Sequence, residues 1–228
     1  MRQLTLIVLF AFIVPAQAQR EDFEHIDLTR ADALARDLKG EDLYALPILV
    51  HQLTAPLETD VERFRAIYIW VCQNIKGDYP LMLENDKMRR KLHTDSLALE
   101  QWNYEFKKEI FQILRKKKRT TCSGYSYLLK EMAELAGIEV AIVDGYGPIN
   151  KLKIERLKIP NHSWNAVKLN DKWYLCDATW ASGYTDLTTY LFEFDYDDQY
   201  WLMPPEEFAE THQPEDPSWL LLELSAND

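Results

Sequence analysis

The sequence lacks the short motifs that mark common metal and phosphate sites. It contains no HExxH, no paired CxxC and no glycine-rich phosphate loop. A metal site needs about three or four convergent ligands, and the sequence pattern shows no such grouping. We therefore expect neither a metal nor a cofactor.

Glycine and proline are scarce, with 7 and 10 occurrences among 228 residues, and no internal repeat or low-complexity tract is present. This composition excludes a fibrous repeat and wholesale disorder. Because 47% of the residues are hydrophobic and 12% are aromatic, the chain has enough apolar material for one good-sized globular domain with a core.

Basic residues are fewer than acidic ones, and the formal net charge is −11. This balance argues against nucleic acid and anionic membrane surfaces as partners. Long hydrophobic runs are absent after residue 18, so no later segment approaches the length of a membrane span.

Residues 1–18 have the layout of a secretory signal peptide. A basic start at Arg2 precedes the apolar run LTLIVLFAFIV, and a small-x-small site ends at Ala18. No cysteine follows the run, which argues against a lipid anchor, and an uncleaved amino-terminal anchor is the alternative interpretation. We expect cleavage near Ala18 and a secreted or periplasmic protein with no stable membrane span after cleavage.

Cysteine is rare as well, with Cys72, Cys122 and Cys176 as the three occurrences. An odd number of thiols in an oxidising compartment leaves one that is reactive or pairs between molecules. Cys72 and Cys176 lie in apolar segments, where they would either form a bridge or remain buried and free. Buried free cysteines are common, and we favour that interpretation.

The first half of the chain has a helical pattern. Apolar residues recur at helical spacing from residue 21 to residue 75, and Thr59–Asp60 offers a helix cap. Residues 84–108 are polar and carry both charge signs, which predicts a surface loop or short helices. The segment FKKEIFQILRKKKR predicts a short amphipathic helix that ends in a basic run.

Helical and strand signals alternate after residue 119. The segment TCSGYSYLLKEMAELAG predicts a helix that Thr120 or Thr121 caps and Gly137 ends. A strand, IEVAIVDGYG, follows, and after a Lys- and Pro-rich loop the pattern becomes that of antiparallel strands. Helices followed by an antiparallel sheet predict an α+β fold.

The segment HSWNAVKLNDKWYLCDATW predicts a hairpin around an Asn170–Asp171 turn. The register of such a turn places His162 opposite Thr179 and Asp177 opposite Trp164. His162 and Asp177 then lie on one face as diagonal neighbours, roughly 7–8 Å apart at the backbone, so that imidazole and carboxylate can form a hydrogen bond.

Cys122 lies in or near the first turn of its predicted helix, where backbone N–H groups and the helix dipole stabilise a thiolate. With His162 as proton carrier and Asp177 as orienter, it would form a nucleophilic triad, and its own N–H would serve as one oxyanion donor. A buried cysteine beside a hydrogen-bonded strand histidine is the structural alternative, and these residue types leave both open.

Three segments carry a family resemblance: TCSGYSYLLKEMAELAGIEVAIVDGYG, NHSWNAVKLNDKWYLCDATWASGY and YWLMPPEEFAETHQPEDPSWLLL. They resemble the transglutaminase-like superfamily, in particular its bacterial secreted members and the kyphoscoliosis-peptidase-type domain. The resemblance places Cys122, His162 and Asp177 on the catalytic triad positions. It implies a papain-like α+β core with the nucleophile helix packed on an antiparallel sheet.

The resemblance also implies a domain organisation. We expect a signal peptide at 1–18 and one transglutaminase-like domain at 19–228. Within that domain, 19–58 would form an amino-terminal helical extension and 59–220 the catalytic-type core.

One position departs from the family pattern. Members commonly carry an aromatic residue near the oxyanion, where this chain has Gly77 in NIKGDYP. Tyr79 is a candidate substitute, and Trp164 and Trp180 are candidates for the wall of a substrate groove, with core packing as their alternative. His212 matches a further family motif and is interpreted as a conformational lock in the carboxy-terminal segment.

The sequence thus predicts a secreted cysteine-dependent amide hydrolase or acyltransferase, of peptidase or transglutaminase type, that acts on a peptide or protein. The alternative hypothesis is a non-catalytic scaffold that binds a protein or cell-envelope component. The pattern does not distinguish hydrolysis from transamidation, and it does not predict an oligomeric state.

Overall fold

The computed structural model describes residues 19–148 and 159–222. The predicted signal peptide at 1–18 and most of the predicted loop before Pro160 lie outside the described residues. None of the described helices is long and apolar enough to cross a membrane.

Helices dominate the first half of the described chain. They are α1 (Thr29–Asp37), α2 (Leu46–Thr54), α3 (Asp60–Asn74), α4 (Tyr79–Leu92) and α5 (Ser96–Lys117). The later helices are α6 (Cys122–Leu135), α7 (Ala178–Ala181) and α8 (Pro205–Ala209).

The main sheet follows α6 in the chain. Its strands are β3 (Val140–Tyr146), β4 (His162–Leu169), β5 (Lys172–Cys176) and β8 (Gln213–Pro214), in the antiparallel order β5-β4-β3-β8. Two small pairs flank it: parallel β1 (Lys76–Gly77) with β2 (Arg119–Thr120), and antiparallel β6 (Gly183–Thr185) with β7 (Phe192–Phe194). This arrangement confirms the predicted α+β class.

Helix α3 lies at the centre of the core, and most of its residues are buried. Thr59 and Glu62 form a capping box at its start, as the cap pattern predicts. Its buried Arg65 forms ion pairs with Asp32 at 2.7 Å and with Asp198 at 2.5 Å. A buried charge is tolerated when it is paired and hydrogen-bonded, so Arg65 ties α1 to the segment that precedes α8.

Of the two alternatives predicted for 84–108, the surface loop is wrong, and helices are present but are longer than expected. The region belongs to α4 and to the 22-residue α5, which Asp78 and Asp95 cap through side-chain hydrogen bonds to backbone N–H groups. The two helices pack on each other over a small separate cluster, so most of their side chains face solvent. A long helix whose surface carries both charge signs therefore produced the pattern of a polar loop.

The hairpin register is confirmed as far as Cys176. Leu169 pairs with Lys172, and Asn170–Asp171 forms the turn with both φ angles positive, 49° and 61°, as this two-residue turn requires. The predicted pairing beyond Cys176 is wrong because Asp177 leaves the sheet and caps α7.

Helix α6 packs across β4 and β3, which is the packing that the family resemblance implies for this helix. Asn165 in β4 fixes this packing by donating from Nδ2 to the carbonyl oxygens of Ser126 at 3.1 Å and Ala141 at 3.2 Å. Tyr125 in α6 donates to the carbonyl oxygen of Ile75 at 2.6 Å. These bonds anchor the first turns of α6 to both the sheet and the end of α3.

We expect Gly124→Ala to destabilise the fold, because a methyl group at Gly124 would overlap the side chain of buried Thr120. Overpacking of this kind costs about 1–3 kcal/mol. Urea denaturation of Gly124→Ala against Glu131→Ala, an exposed position of the same helix, measures the effect. Equal unfolding midpoints for the two variants would contradict this packing.

Candidate active site

Cys122 is the first residue of α6, directly after the cap position Thr121. The cap prediction is confirmed in position only, because the Thr121 side chain makes no capping hydrogen bond. The parallel pairing of Gly77 with Thr120 fixes the chain just before the helix. The half-buried Cys122 thiol is thereby held at the wall of a cavity.

His162 is the first residue of β4 and pairs with Gly145 of β3. Its Nε2 lies 2.7 Å from Oδ2 of Asp177, so the predicted contact between these two side chains is present. Trp180 stacks on the imidazole with ring centroids 4.9 Å apart and an interplanar angle of 18°. Because Nε2 is occupied, Nδ1 is the nitrogen available to Cys122.

Asp177 reaches His162 by a different route from the predicted strand diagonal. As the cap of α7, it accepts hydrogen bonds at Oδ1 from the N–H groups of Thr179 at 2.8 Å and Trp180 at 3.3 Å. This leaves Oδ2 directed at the imidazole. The carboxylate is fully buried, and such a group is stable only when hydrogen-bonded.

His212 also contacts Asp177, with its Nε2 3.2 Å from Oδ2. The possible ligand atoms of His162, Asp177 and His212 lie within 4.8 Å of one another, a spacing that the two hydrogen bonds explain. The sequence pattern predicts a conformational lock at His212 in the carboxy-terminal segment and assigns it no catalytic role. No regular spacing links it to Asp177, 35 residues earlier, so only the folded chain shows the contact.

The ionisable groups shift in complementary directions. Burial opposes ionisation of Asp177, but the charge and hydrogen bond of His162 outweigh it and hold the pKa of Asp177 well below its usual range. Burial also disfavours the imidazolium, yet Asp177 and Cys122 raise the pKa of His162. For Cys122, burial raises the pKa, and the hydrogen bond and charge of His162 outweigh burial and lower it overall. The site therefore favours a thiolate–imidazolium pair.

Cys72 and Cys176 behave differently from Cys122. Both are free and fully buried, in agreement with the favoured interpretation. Burial raises the pKa of each thiol. Of the three thiols, Cys122 alone combines access to a cavity with a lowered pKa.

A cavity of about 780 Å³ opens beside Cys122 and His162. Two of the three groove and oxyanion candidates, Tyr79 and Trp180, line it. Trp164 does not, because it is 1% exposed and packs in the core with Phe208. The core alternative is therefore correct for Trp164.

The departure at Gly77 has a packing explanation. A Cβ atom at Gly77 would lie 2.9 Å from Cδ2 of Phe192 in β7, so the Phe192 ring occupies the space a side chain would need. Tyr79, the predicted substitute, stacks on Tyr190 with ring centroids 5.8 Å apart. An aromatic surface thus lies beside Gly77, although its residues come from the β6–β7 region and from α4.

Comparison with known families identifies the fold. The family model described as the transglutaminase-like superfamily matches residues 48–178, more than half of the chain. The chain belongs to the transglutaminase-like superfamily. Its α+β core, with α6 packed on the antiparallel sheet, is the fold expected from the sequence resemblance.

Two relatives illustrate this membership. Kyphoscoliosis peptidase of Homo sapiens is 34% identical over 204 residues, which cover 89% of this chain and 27% of that protein. Kyphoscoliosis peptidase of Mus musculus is 36% identical over 202 residues, which cover 88% and 27%. This chain thus spans about a quarter of the length of these relatives.

A crystal structure described as that of a TGase is 14% identical, with a TM-score of 0.38, and the match covers 83% of this chain and 40% of that one. This likeness is too distant to add to the family match.

We expect Asp177→Asn to disrupt the charge arrangement while α7 remains capped. With the amide oxygen on the N–H groups of Thr179 and Trp180, the NH2 group faces the Nε2 atoms of His162 and His212, which the carboxylate oxygen contacts in the parent. Without the carboxylate charge the pKa of His162 falls. The weakened imidazolium then raises the pKa of Cys122 by more than the loss of the smaller, direct repulsion between Asp177 and the thiolate lowers it. The profile of Cys122 alkylation rate against pH then moves to higher pH by the amount by which the pKa of this thiol rises.

The measurement is the iodoacetamide rate of Asp177→Asn against that of Asp216→Asn. Asp216 is an exposed cap residue, so its substitution changes a cap carboxylate without touching the site. Equal rates for the two variants would show that the Asp177 charge does not control the thiol.

Proposed function

We propose that this chain is a cysteine-dependent amide hydrolase or acyltransferase of peptidase or transglutaminase type. Cys122 is the nucleophile, His162 carries the proton and Asp177 orients the imidazole. The observation that supports this most is the joining of three elements at one point: the thiol at the start of α6, the imidazole at the start of β4 and the buried cap of α7.

Acylation begins with the thiolate. Sγ of Cys122 attacks the carbonyl carbon of an amide, and a C–S bond forms as the carbonyl becomes an oxyanion. The N–H of Cys122, which has no partner within its helix because it lies in the first turn, is one donor for that oxyanion. Nδ1–H of His162 then protonates the amine nitrogen, the C–N bond breaks, and an acyl thioester remains on Cys122.

Deacylation reverses the role of His162. The neutral imidazole accepts a proton at Nδ1 from water or from an amine as that nucleophile attacks the thioester carbon. The C–S bond breaks and the thiolate–imidazolium pair is restored. Water gives hydrolysis, and an amine gives transfer of the acyl group.

The cavity favours a peptide or protein as substrate. Its volume of about 780 Å³ lies within the range of pockets that bury most of a drug-sized ligand. Apolar side chains from α4 and α5, including Leu83 and Phe106, line it together with polar ones such as Asn103. The signal-peptide pattern at 1–18 supports a secreted or periplasmic location for this activity.

A binding scaffold is the second candidate function, and one observation favours it. Large apolar side chains are exposed in and around the β6–β7 hairpin, beside the cavity. They are Tyr184, Leu187, Tyr190, Leu191 and Phe194. Exposed apolar surface of this kind is typical of protein interaction sites.

Alkylation separates the two functions. We expect iodoacetamide to label Cys122 with an apparent pKa below the ordinary thiol value of about 8.5, because His162 stabilises the thiolate. In His162→Ala that pKa rises and the rate at pH 7 falls. His51→Ala, an exposed position on α2, is the matched control and keeps the parent rate, and Cys122→Ala confirms the labelled site.

Labelling that accelerates only above about pH 8, unchanged in His162→Ala, would contradict the enzyme and favour the scaffold. With an activated thiol established, incubation with peptides in the presence and absence of a primary amine distinguishes hydrolysis from acyl transfer by product mass.

A further inference from the structure

We propose that His212 is a positioning residue for the catalytic carboxylate. As a neutral imidazole, it donates its Nε2–H to Oδ2 of Asp177 and holds that oxygen on the Nε2–H of His162. This inference rests on the proposed function. It adds a fourth side chain to the three that the sequence pattern identifies.

The hydrogen-bonding pattern fits a neutral His212. An ionised carboxylate only accepts hydrogen bonds, so Nε2 of His212, 3.2 Å from Oδ2 of Asp177, is the donor. Its Nδ1 lies 2.9 Å from the hydroxyl of Thr211 and can accept from it. A ring that donates at Nε2 and accepts at Nδ1 is the neutral Nε2–H tautomer.

Burial supports the neutral state. The His212 ring is 1% exposed, and burial lowers its pKa more than the hydrogen bond and charge of Asp177 raise it. Within the described part of the chain, the titratable side chains that face it are Asp177, His162 with ring centroids 5.5 Å away, and Tyr200 with centroids 6.4 Å away. Asp177 is thus the one anion among these three at neutral pH.

The neutral state of His212 matters because Asp177 carries a single negative charge. A second cation beside it would compete with His162 for that charge and would disfavour the imidazolium that stabilises the Cys122 thiolate. A neutral donor instead stabilises the carboxylate without that competition. His212 thereby contributes a dipole, whereas His162 contributes the charge.

The ring is held rigidly enough to position its partner. Phe208 of α8 stacks on it with ring centroids 3.8 Å apart and an interplanar angle of 24°. Trp164 contacts it edge-on at 5.0 Å. The His212 N–H also donates to the carbonyl oxygen of Phe208 at 2.9 Å. The carboxy-terminal segment therefore fixes His212 against the carboxylate of Asp177. This agrees with the conformational lock predicted from the sequence and identifies Asp177 as the group that His212 holds.

The first test compares His212→Leu with His212→Gln. Leucine is of similar size and has no donor, whereas the glutamine amide restores an N–H donor near the position of Nε2. We expect the apparent pKa of Cys122, measured by iodoacetamide rate against pH, to rise by about one pH unit in His212→Leu, so that the alkylation profile moves to higher pH by that amount. His212→Gln returns the profile close to that of the parent.

Thermal unfolding of both variants is measured alongside. A purely structural role would lower the melting temperature of both without separating their alkylation profiles. Equal profiles for His212→Leu, His212→Gln and a parent with an activated Cys122 would overturn this inference and leave the proposed function intact. An unactivated Cys122 in the parent would overturn the proposed function, and this inference with it.

Thr211 provides a second test that does not alter the buried ring. Its side chain is half-buried, so Thr211→Val and Thr211→Ser should both fold, and only serine keeps the hydroxyl donor. We expect the ¹⁵N shifts of His212 in the parent and in Thr211→Ser to show the neutral Nε2–H form from pH 6 to 8. Thr211→Val weakens this preference. A His212 that is protonated on both nitrogens at pH 7 in the parent would overturn the inference.

Discussion

The ionised carboxylate of Asp177 is the group on which the site depends. An isolated buried carboxylate is strongly unfavourable, and here the fold provides four hydrogen-bond donors to it, two backbone N–H groups of α7 and two imidazoles. Those donors fix its orientation, and its charge in turn sets the protonation of His162. Its direct charge raises the pKa of Cys122, but the larger effect of His162 lowers that pKa overall, so one buried anion influences both His162 and Cys122.

The helical half of the chain also helps to hold Asp177 in place. Tyr68 in α3 donates its hydroxyl hydrogen towards the carbonyl oxygens of both Asp177, at 3.1 Å, and Tyr200, at 3.0 Å. Tyr125 connects α6 to the end of the same helix. Helix α3 therefore helps to fix the positions of both Asp177 and the helix that begins at Cys122. This is why a largely buried helix that is distant in sequence matters to the site.

Local signals made much of this structure predictable. The Asn170–Asp171 turn set the hairpin register, Thr59 marked the start of α3, and Thr120 or Thr121 indicated the start of α6. Each of these features depends on residues close together in the sequence. The resemblance to the superfamily added the sheet packing that local pattern does not determine.

The predictions that failed depend on contacts between distant segments. The α4–α5 pair has little buried surface, so its hydrophobic pattern was too weak to separate from that of a polar loop. The residues around Asp177 have the pattern of a strand, but β5 ends at Cys176 and Asp177 caps α7 instead. The residues that follow it determine this, and the strand pattern alone does not predict it. His212 joins the site only because α8 folds back over β4, and Trp164 is buried by the same return of the chain.

The most direct test of the central claim is ¹⁵N NMR of the His162 side chain at pH 7, in the parent and in Cys122→Ser. If Asp177 and the thiolate together stabilise the imidazolium, His162 is protonated on both nitrogens in the parent. It then titrates at a lower pH in Cys122→Ser, where the negative charge of the thiolate is lost. A neutral His162 at pH 7 in the parent, with the same titration in both proteins, would contradict the account.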